Sequence, residues 1–297
     1  MQKKAAVNLL QFALLLFSGI LFSNSMTMLI LYFNQKISWS DFGSSVDPTN
    51  LMTGPQLIIA QISGQIFGLL FPAFLVTINK SLIRSELSPR LFKLDSFYWI
   101  LAFMICFLPS VAYSAVVNQS IPLPEWATST EDKLAELLEK MLKMDSFSDY
   151  LVMMITAAVL PAVAEEWVFR GVLQNQLKHL FKSQISAWLV SSIIFGVIHM
   201  QMEGVLPRIL LGLLLGLVYW KTQCIWNSIL LHFLFNGVQI TAVYLSGETN
   251  IESNAFQSAD LVKFLQIAAM TLFSLVPLFF ISKKLGWIST PKTSLYA

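Results

Sequence analysis

Charge is what this sequence has least of. Only 12% of its 297 residues are Asp, Glu, Lys or Arg, about half of the roughly 25% usual in soluble domains, while 56% are hydrophobic. That balance excludes an ordinary soluble globular chain and implies several membrane spans. The basic residues form no stripe and have no aromatic stacking platform beside them, so nucleic-acid binding has no support. Cysteine is nearly missing as well. Cys106 and Cys224 lie in or beside different apolar runs, which argues against a disulfide framework and a thiolate metal site. No serine stands in a nucleophile elbow, and no helix carries H-E-x-x-H. There is no internal repeat, so inverted-repeat transporter logic finds no footing here. Histidine occurs three times, as His179, His199 and His232, and such scarcity makes each position informative.

What is present is a series of apolar runs. At about 20 residues per spanning helix, they predict eight spans, near 5–33, 55–78, 97–117, 147–177, 185–200, 205–220, 228–245 and 261–281. The basic start Met1–Lys4 suits a signal peptide, but the apolar run continues too far, so an uncleaved first helix is expected. With both termini in the cytoplasm, the cytoplasmic connections collect Lys3, Lys4, Lys80, Arg84, Arg90, Lys93, Lys178, Lys182, Lys221, Lys283, Lys284 and Lys292. The opposite loops carry Asp41, Asp47, Glu125, Glu131, Glu248 and Glu252, the asymmetry of the positive-inside rule. In a bacterium the chain would sit in the plasma membrane. After the third span, Leu134, Leu137, Leu138, Met141 and Leu142 recur at helical spacing opposite a charged face. This predicts an external amphipathic helix at the membrane surface, either a packed connector or a lid. Gly64-x-x-x-Gly68 and Gly212-x-x-x-Gly216 are read as close-packing signals. The expected fold is all-α and polytopic.

Against this background, Glu165-Glu166-Trp167-Val168-Phe169-Arg170 puts two carboxylates and a guanidinium after a stretch, Tyr150 to Ala164, that has no charge. One charge at the centre of a membrane helix costs about 2.5–3.5 kcal/mol on insertion scales. These groups must therefore face protein or water, and Pro161, one turn earlier, permits a bend toward a cavity. Glu166 and Arg170 are i, i+4, which suits an ion pair that stitches helices together or serves the reaction directly. Phe195 and His199, then His232 and Asn236, repeat the spacing in the fifth and seventh spans. A lone membrane histidine is ordinarily satisfied by an interhelical hydrogen bond. Two of them together with an unpartnered Glu165 point to chemistry.

The residue types suggest what that chemistry is. A carboxylate in a low-dielectric site serves as a general base, and imidazole orients water or shares its proton. An Asn amide and a second His donate to an oxyanion. Water is then the nucleophile, with Glu165, His199, His232 and Asn236 as catalytic candidates and Glu166, Arg170 and Phe195 in support. Counting helix rise places Glu165 and His199 at similar depth, with His232 nearer the cytoplasmic face.

In order and spacing, Glu165-Glu166-x-x-x-Arg170, Phe195-x-x-x-His199 and His232-x-x-x-Asn236 resemble the three motifs of the CAAX protease and bacteriocin-processing family. The resemblance covers about 147–245. It implies an α-helical intramembrane endopeptidase acting on a membrane-embedded or lipid-anchored peptide or protein. Carried onto this chain, Glu165 is the base, His199 helps to activate water, His232 and Asn236 hold the oxyanion, and Arg170 holds Glu166. The chain then divides into three N-terminal spans with the amphipathic helix (1–146), a four-span core (147–247) and a final external loop, span and tail (248–297). The preferred mechanism needs no cofactor, but Glu165, His199 and His232 also make an acceptable zinc set with an open fourth position. Two other classes share these features: a non-catalytic bacteriocin-immunity or peptide-binding membrane protein, and a proton-coupled transporter.

Overall fold

The computed structural model describes residues 2–34, 36–38, 51–78, 94–247 and 261–287. Helices account for nearly all of them, with no strand among the described residues. In chain order they are α1 (Gln2–Phe33), α2 (Gly54–Ile78), α3 (Leu94–Gln119), α4 (Glu125–Leu142), α5 (Phe147–Phe181), α6 (Gln184–Val197), α7 (Val205–Thr222), α8 (Ile225–Ser246) and α9 (Leu261–Lys284). Six helices among the described residues are long and apolar enough to cross a membrane: α1, α2, α3 from Phe97, α5, α7 with its preceding turn, and α8. The protein is thus all-α and polytopic.

Two of the eight expected spans are not among these six: the eighth, which falls on α9, part of whose side chains lie outside the described residues, and the fifth. α6 stops at Val197, and its 14 residues rise only about 21 Å, short of the roughly 30 Å hydrocarbon core. His199, expected on that helix, lies in the turn beyond it. Met200 there adopts a left-handed backbone, φ 55°. Asn118 at the end of α3 fixes this connection, donating to the Met202 carbonyl at 2.7 Å and accepting from the Leu206 N–H at 2.8 Å. Glu131 of α4 accepts from the backbone N–H groups of Met202 and Glu203.

One buried apolar cluster includes Phe12, Ala73, Ile100, Val168, Phe195, Leu215, Leu231 and Ile281, one residue from each helix except α4. α4 lies across one end instead. Its Leu137 and Met141 pack against Leu31, Ile37, Met52 and Leu57 from the α1–α2 region, so much of the apolar stripe covers protein, as a connector does. Outward-facing Leu14, Phe17, Leu21, Phe273 and Phe280 are all more than half exposed. A patch of that extent would be anomalous in water, but it is the ordinary lipid-facing surface of a bundle.

The ends of the bundle differ in charge. Gln2 donates to the Leu180 carbonyl, Asn175 to the Tyr219 hydroxyl, and Lys221 to the Trp287 carbonyl. These bonds gather the start of α1 and the ends of α5, α7 and α9 at one end, with Lys3, Lys4, Lys178, Lys182, Lys221, Lys283 and Lys284 nearby in sequence. Loops 39–50 (with Asp41 and Asp47), 79–93 and 248–260 and the segment from 288, which carry part of the charge bias, lie outside the described residues.

Close helix approach occurs where small residues meet backbone. A Cβ on Gly212 would stand 3.1 Å from the Ser192 carbonyl oxygen, and one on Gly216 would stand 2.9 Å from Trp188, as the second small-residue motif predicts. The first motif behaves differently. Cβ atoms on Gly64 and Gly68 would find only Ser23 and Ile20 at ordinary contact distance, and it is Gly19 of α1 that lies against the Phe67 carbonyl. Gly19→Ala should therefore cost about 1–3 kcal/mol of stability through overpacking. Gly64→Ala should be neutral or stabilising by up to about 1 kcal/mol. Thermal unfolding of the two variants in detergent measures the difference.

Candidate active site

Consecutive residues on a helix point about 100° apart, so Glu165 and Glu166 face different neighbours. Glu166 turns inward and is fully buried, as is Arg170, whose Nη1–H donates to Glu166 Oε1 at 2.7 Å. Nη2–H of Arg170 donates to the Gly212 carbonyl at 2.8 Å, and the guanidinium lies 4.8 Å from the Phe195 ring centroid, a cation–π contact. His232 completes the cluster by donating Nδ1–H to Glu166 Oε1 at 3.0 Å. One ion pair thereby joins α5, α6, α7 and α8.

Glu165 faces the other way, toward two imidazoles. Its Oε2 stands 3.7 Å from His199 Nε2 and 4.0 Å from His232 Nε2. The depth gap expected for His232 closes because α8 starts at Ile225 rather than near 228, which adds about 4.5 Å of rise below the ring. Phe195 is the wedge between the imidazoles, edge-on to both at centroid distances of 5.3 and 5.8 Å. The cluster is reached from the His199 side, since 27% of the His199 side chain is exposed against 3% of that of His232.

The hydrogen bonds determine the tautomers. A carbonyl only accepts, so His199 Nδ1 carries the hydrogen in its 2.7 Å bond to the Phe195 carbonyl. That carbonyl belongs to the last turn of α6, where the helix leaves its acceptors without intrahelical donors. The Glu166 carboxylate, paired to Arg170, likewise requires a hydrogen on His232 Nδ1. In their neutral forms both rings then direct an Nε2 lone pair toward Glu165 Oε2. Three acceptors face one another at distances too long for direct hydrogen bonds, and they are bridged by whatever brings hydrogens between them.

Asn236 is turned elsewhere. Its Nδ2–H donates to the Ala157 carbonyl at 3.4 Å, and the reason lies in the sequence. Pro161 has no N–H, so the carbonyl four residues before it loses its helical donor, and α5 relaxes there into the π-helical turn Met154–Val159. Asn175 plays the same part at the second π segment, Trp167–Leu173, donating to the Arg170 and Gly171 carbonyls at 3.1 and 3.2 Å. As placed, one N–H of Asn236 maintains the scaffold and the other remains for a ligand.

One member of the site escaped sequence reasoning. Gln65, in the π-helical turn Gly64–Leu70 of α2, donates Nε2–H to Glu165 Oε1 at 3.4 Å. Its signal was a lone amide in an apolar run, masked by the neighbouring glycines and by Gln61 and Ser63.

For the charged cluster, removal of one partner is the informative change. Arg170→Ala strands the Glu166 carboxylate, and loss of about 3–5 kcal/mol is expected. Arg170→Lys should recover only part of this, because an ammonium cannot reproduce the two-nitrogen contact with Glu166 and Gly212. Melting temperatures of both variants in detergent read the effect.

Comparison with known proteins falls on this part of the chain. The family model described as type II CAAX prenyl endopeptidase Rce1-like matches residues 147–238. A protein of Bacillus subtilis (strain 168) described as "Putative membrane peptidase YdiL" is 29% identical over 89 residues, 29% of this chain and 34% of that relative. The match thus spans about a third of the relative's length. No solved structure matches. The likeness of the three motifs to an intramembrane protease family is therefore a match to the Rce1-like family over 147–238, the stretch that carries them all.

Proposed function

We propose that the chain is an intramembrane endopeptidase that hydrolyses a peptide bond of a membrane-embedded or lipid-anchored substrate, of CAAX type or bacteriocin-related. The observation that carries this reading is the meeting of Glu165 Oε2 with the Nε2 atoms of His199 and His232, each from a different part of the bundle, with His199 partly exposed. A water there donates to Glu165 and to the His199 lone pair. Glu165 takes the proton as the oxygen attacks the scissile carbonyl, and the C–O bond forms. The oxyanion receives hydrogen bonds from the second Asn236 N–H and from His232. In that role His232 is an imidazolium, since its Nδ1–H is already given to Glu166, and the oxyanion balances its charge, Glu166 being paired with Arg170. Collapse breaks the C–N bond as Glu165 returns the proton to the leaving amine. Arg170 and Glu166 position His232, and Phe195 spaces the two imidazoles. The basic end of the bundle faces the cytoplasm in this reading, with both termini there.

Glu165, His199 and His232 are also the residues that would hold a zinc ion as Lewis acid. At about 2.0–2.1 Å per bond, adjacent tetrahedral ligands stand roughly 3.3 Å apart, less than the 3.7 and 4.0 Å found here. Among the described residues, no three such side chains are grouped closely enough to ligate one ion. That wider spacing supports the reading without a metal, and no step of the mechanism runs through one.

Two measurements test this. In proteoliposomes bearing a lipid-anchored CAAX-type peptide, Glu165→Gln and His199→Ala should each reduce cleavage by about 10²-fold or more while the protein stays inserted and Glu165→Gln melts near wild type. Undiminished turnover in either variant rules out the mechanism. Activity should also survive exhaustive chelation in protein shown by elemental analysis to be zinc-free. Loss on chelation with recovery on zinc addition would reverse the metal-free assignment.

A further inference from the structure

The amide of Gln65 has two ends, and only one is used. Ionised Glu165 is acceptor-only, so the end facing it must be the NH2 group, which fixes the carbonyl oxygen on the other side. That oxygen, Oε1, is buried and has no hydrogen-bond partner, in a residue only 8% exposed. Buried amide oxygens are ordinarily paired, so an acceptor held open beside the proposed base has a donor to come. The groups already present do not supply it: both imidazoles spend their Nδ1–H on Phe195 and Glu166.

We infer that Gln65 is a substrate-contacting residue whose Oε1 accepts the N–H of the peptide bond to be cut while its Nε2–H holds Glu165. This rests on the endopeptidase reading and names the group of the substrate that α2 recognises. The chemistry makes the two contacts complementary. Glu165 gains the water proton as the C–O bond forms and must deliver it to the amide nitrogen as the C–N bond breaks. Holding that nitrogen's N–H from the Gln65 side keeps its developing lone pair turned toward Glu165. A single planar amide thus spaces the base from the atom it protonates, through the one α2 side chain that hydrogen-bonds Glu165 among the described residues.

The test compares two substrates that differ only in that N–H: a lipidated fluorogenic peptide and its depsipeptide, with ester oxygen in place of the scissile NH. Gln65→Leu and the unbranched Gln65→Met, checked for folding by melting and gel filtration in detergent, should lower kcat/KM for the peptide by about tenfold or more. The ester, which has no N–H to offer, should lose only the share that comes from holding Glu165, so its loss should be at least about threefold smaller than the peptide's. Equal losses on both substrates would mean that Gln65 acts only through Glu165, and would overturn the contact. So would undiminished peptide cleavage by either folded variant. Wild-type protein that cleaves neither substrate would instead remove the endopeptidase reading, and this inference with it.

Discussion

Everything in the site depends on a charge pair that the bilayer cannot solvate. Glu166 and Arg170 are wholly enclosed, and a buried pair is worth having only when its remaining hydrogen-bond capacity is met. Here the Gly212 carbonyl and His232 Nδ1–H meet part of that need, leaving Glu166 Oε2 without a partner, and each comes from another helix. The pair therefore constrains how α5, α7 and α8 rotate against one another. Closeness of α6 and α7 at Gly212 is part of the same requirement, because the guanidinium reaches a carbonyl that a larger side chain there would move away.

The constraint also explains why two carboxylates stand in sequence. With Glu166 committed inward, the 100° step of the helix turns Glu165 toward α2 and the end of α6. One carboxylate is compensated and structural, while the other faces imidazole lone pairs on the side where His199 is partly exposed. A single glutamate could not satisfy the guanidinium and present a basic oxygen to water. His232 joins the halves: one ring nitrogen reports to the buried pair and the other to Glu165.

The site is built where helices are least regular. Of the three π-helical segments, Gly64–Leu70 contains Gln65, Trp167–Leu173 contains Arg170 and follows Glu166, and Met154–Val159 accepts from Asn236 at Ala157. In a bilayer an unpaired carbonyl is expensive, so a widened turn survives only when a side chain repairs it. Asn236 and Asn175 do so for α5, and His199 does so at the end of α6. The polar groups that resemble catalytic motifs in sequence are thus partly occupied in keeping the backbone hydrogen-bonded, which fixes their orientation.

Much of this was legible in the letters. Polar residues isolated in apolar runs, at i, i+4 spacing, identified Glu165, Glu166, Arg170, His199, His232 and Asn236 because a membrane helix has few other reasons to carry them. Less legible was anything decided by helix ends. Periodicity continued past Val197, so His199 was placed on a helix that had already stopped, and the early start of α8 at Ile225 was hidden by the polar Asn227 and Ser228 near its beginning. Gln65 was lost for a different reason: amides are tolerable in membrane helices, and nothing in a one-dimensional pattern reveals that residue 165 lies across from it.

That last contact changes how the chain should be divided. The stretch 147–238 contains the motifs and the whole match to the Rce1-like model, which suggests a catalytic core with N-terminal helices as accessories. Yet the oxygen of Glu165 that faces away from the imidazoles is held by α2, and α2 is itself held against α1 where Gly19 meets Phe67. The His199 turn is held by Asn118 of α3 and Glu131 of α4. The base and the imidazole proposed to share its proton are each positioned partly from outside the stretch that carries the motifs. A four-helix core excised at 147 would retain every motif residue and lose the walls that aim two of them.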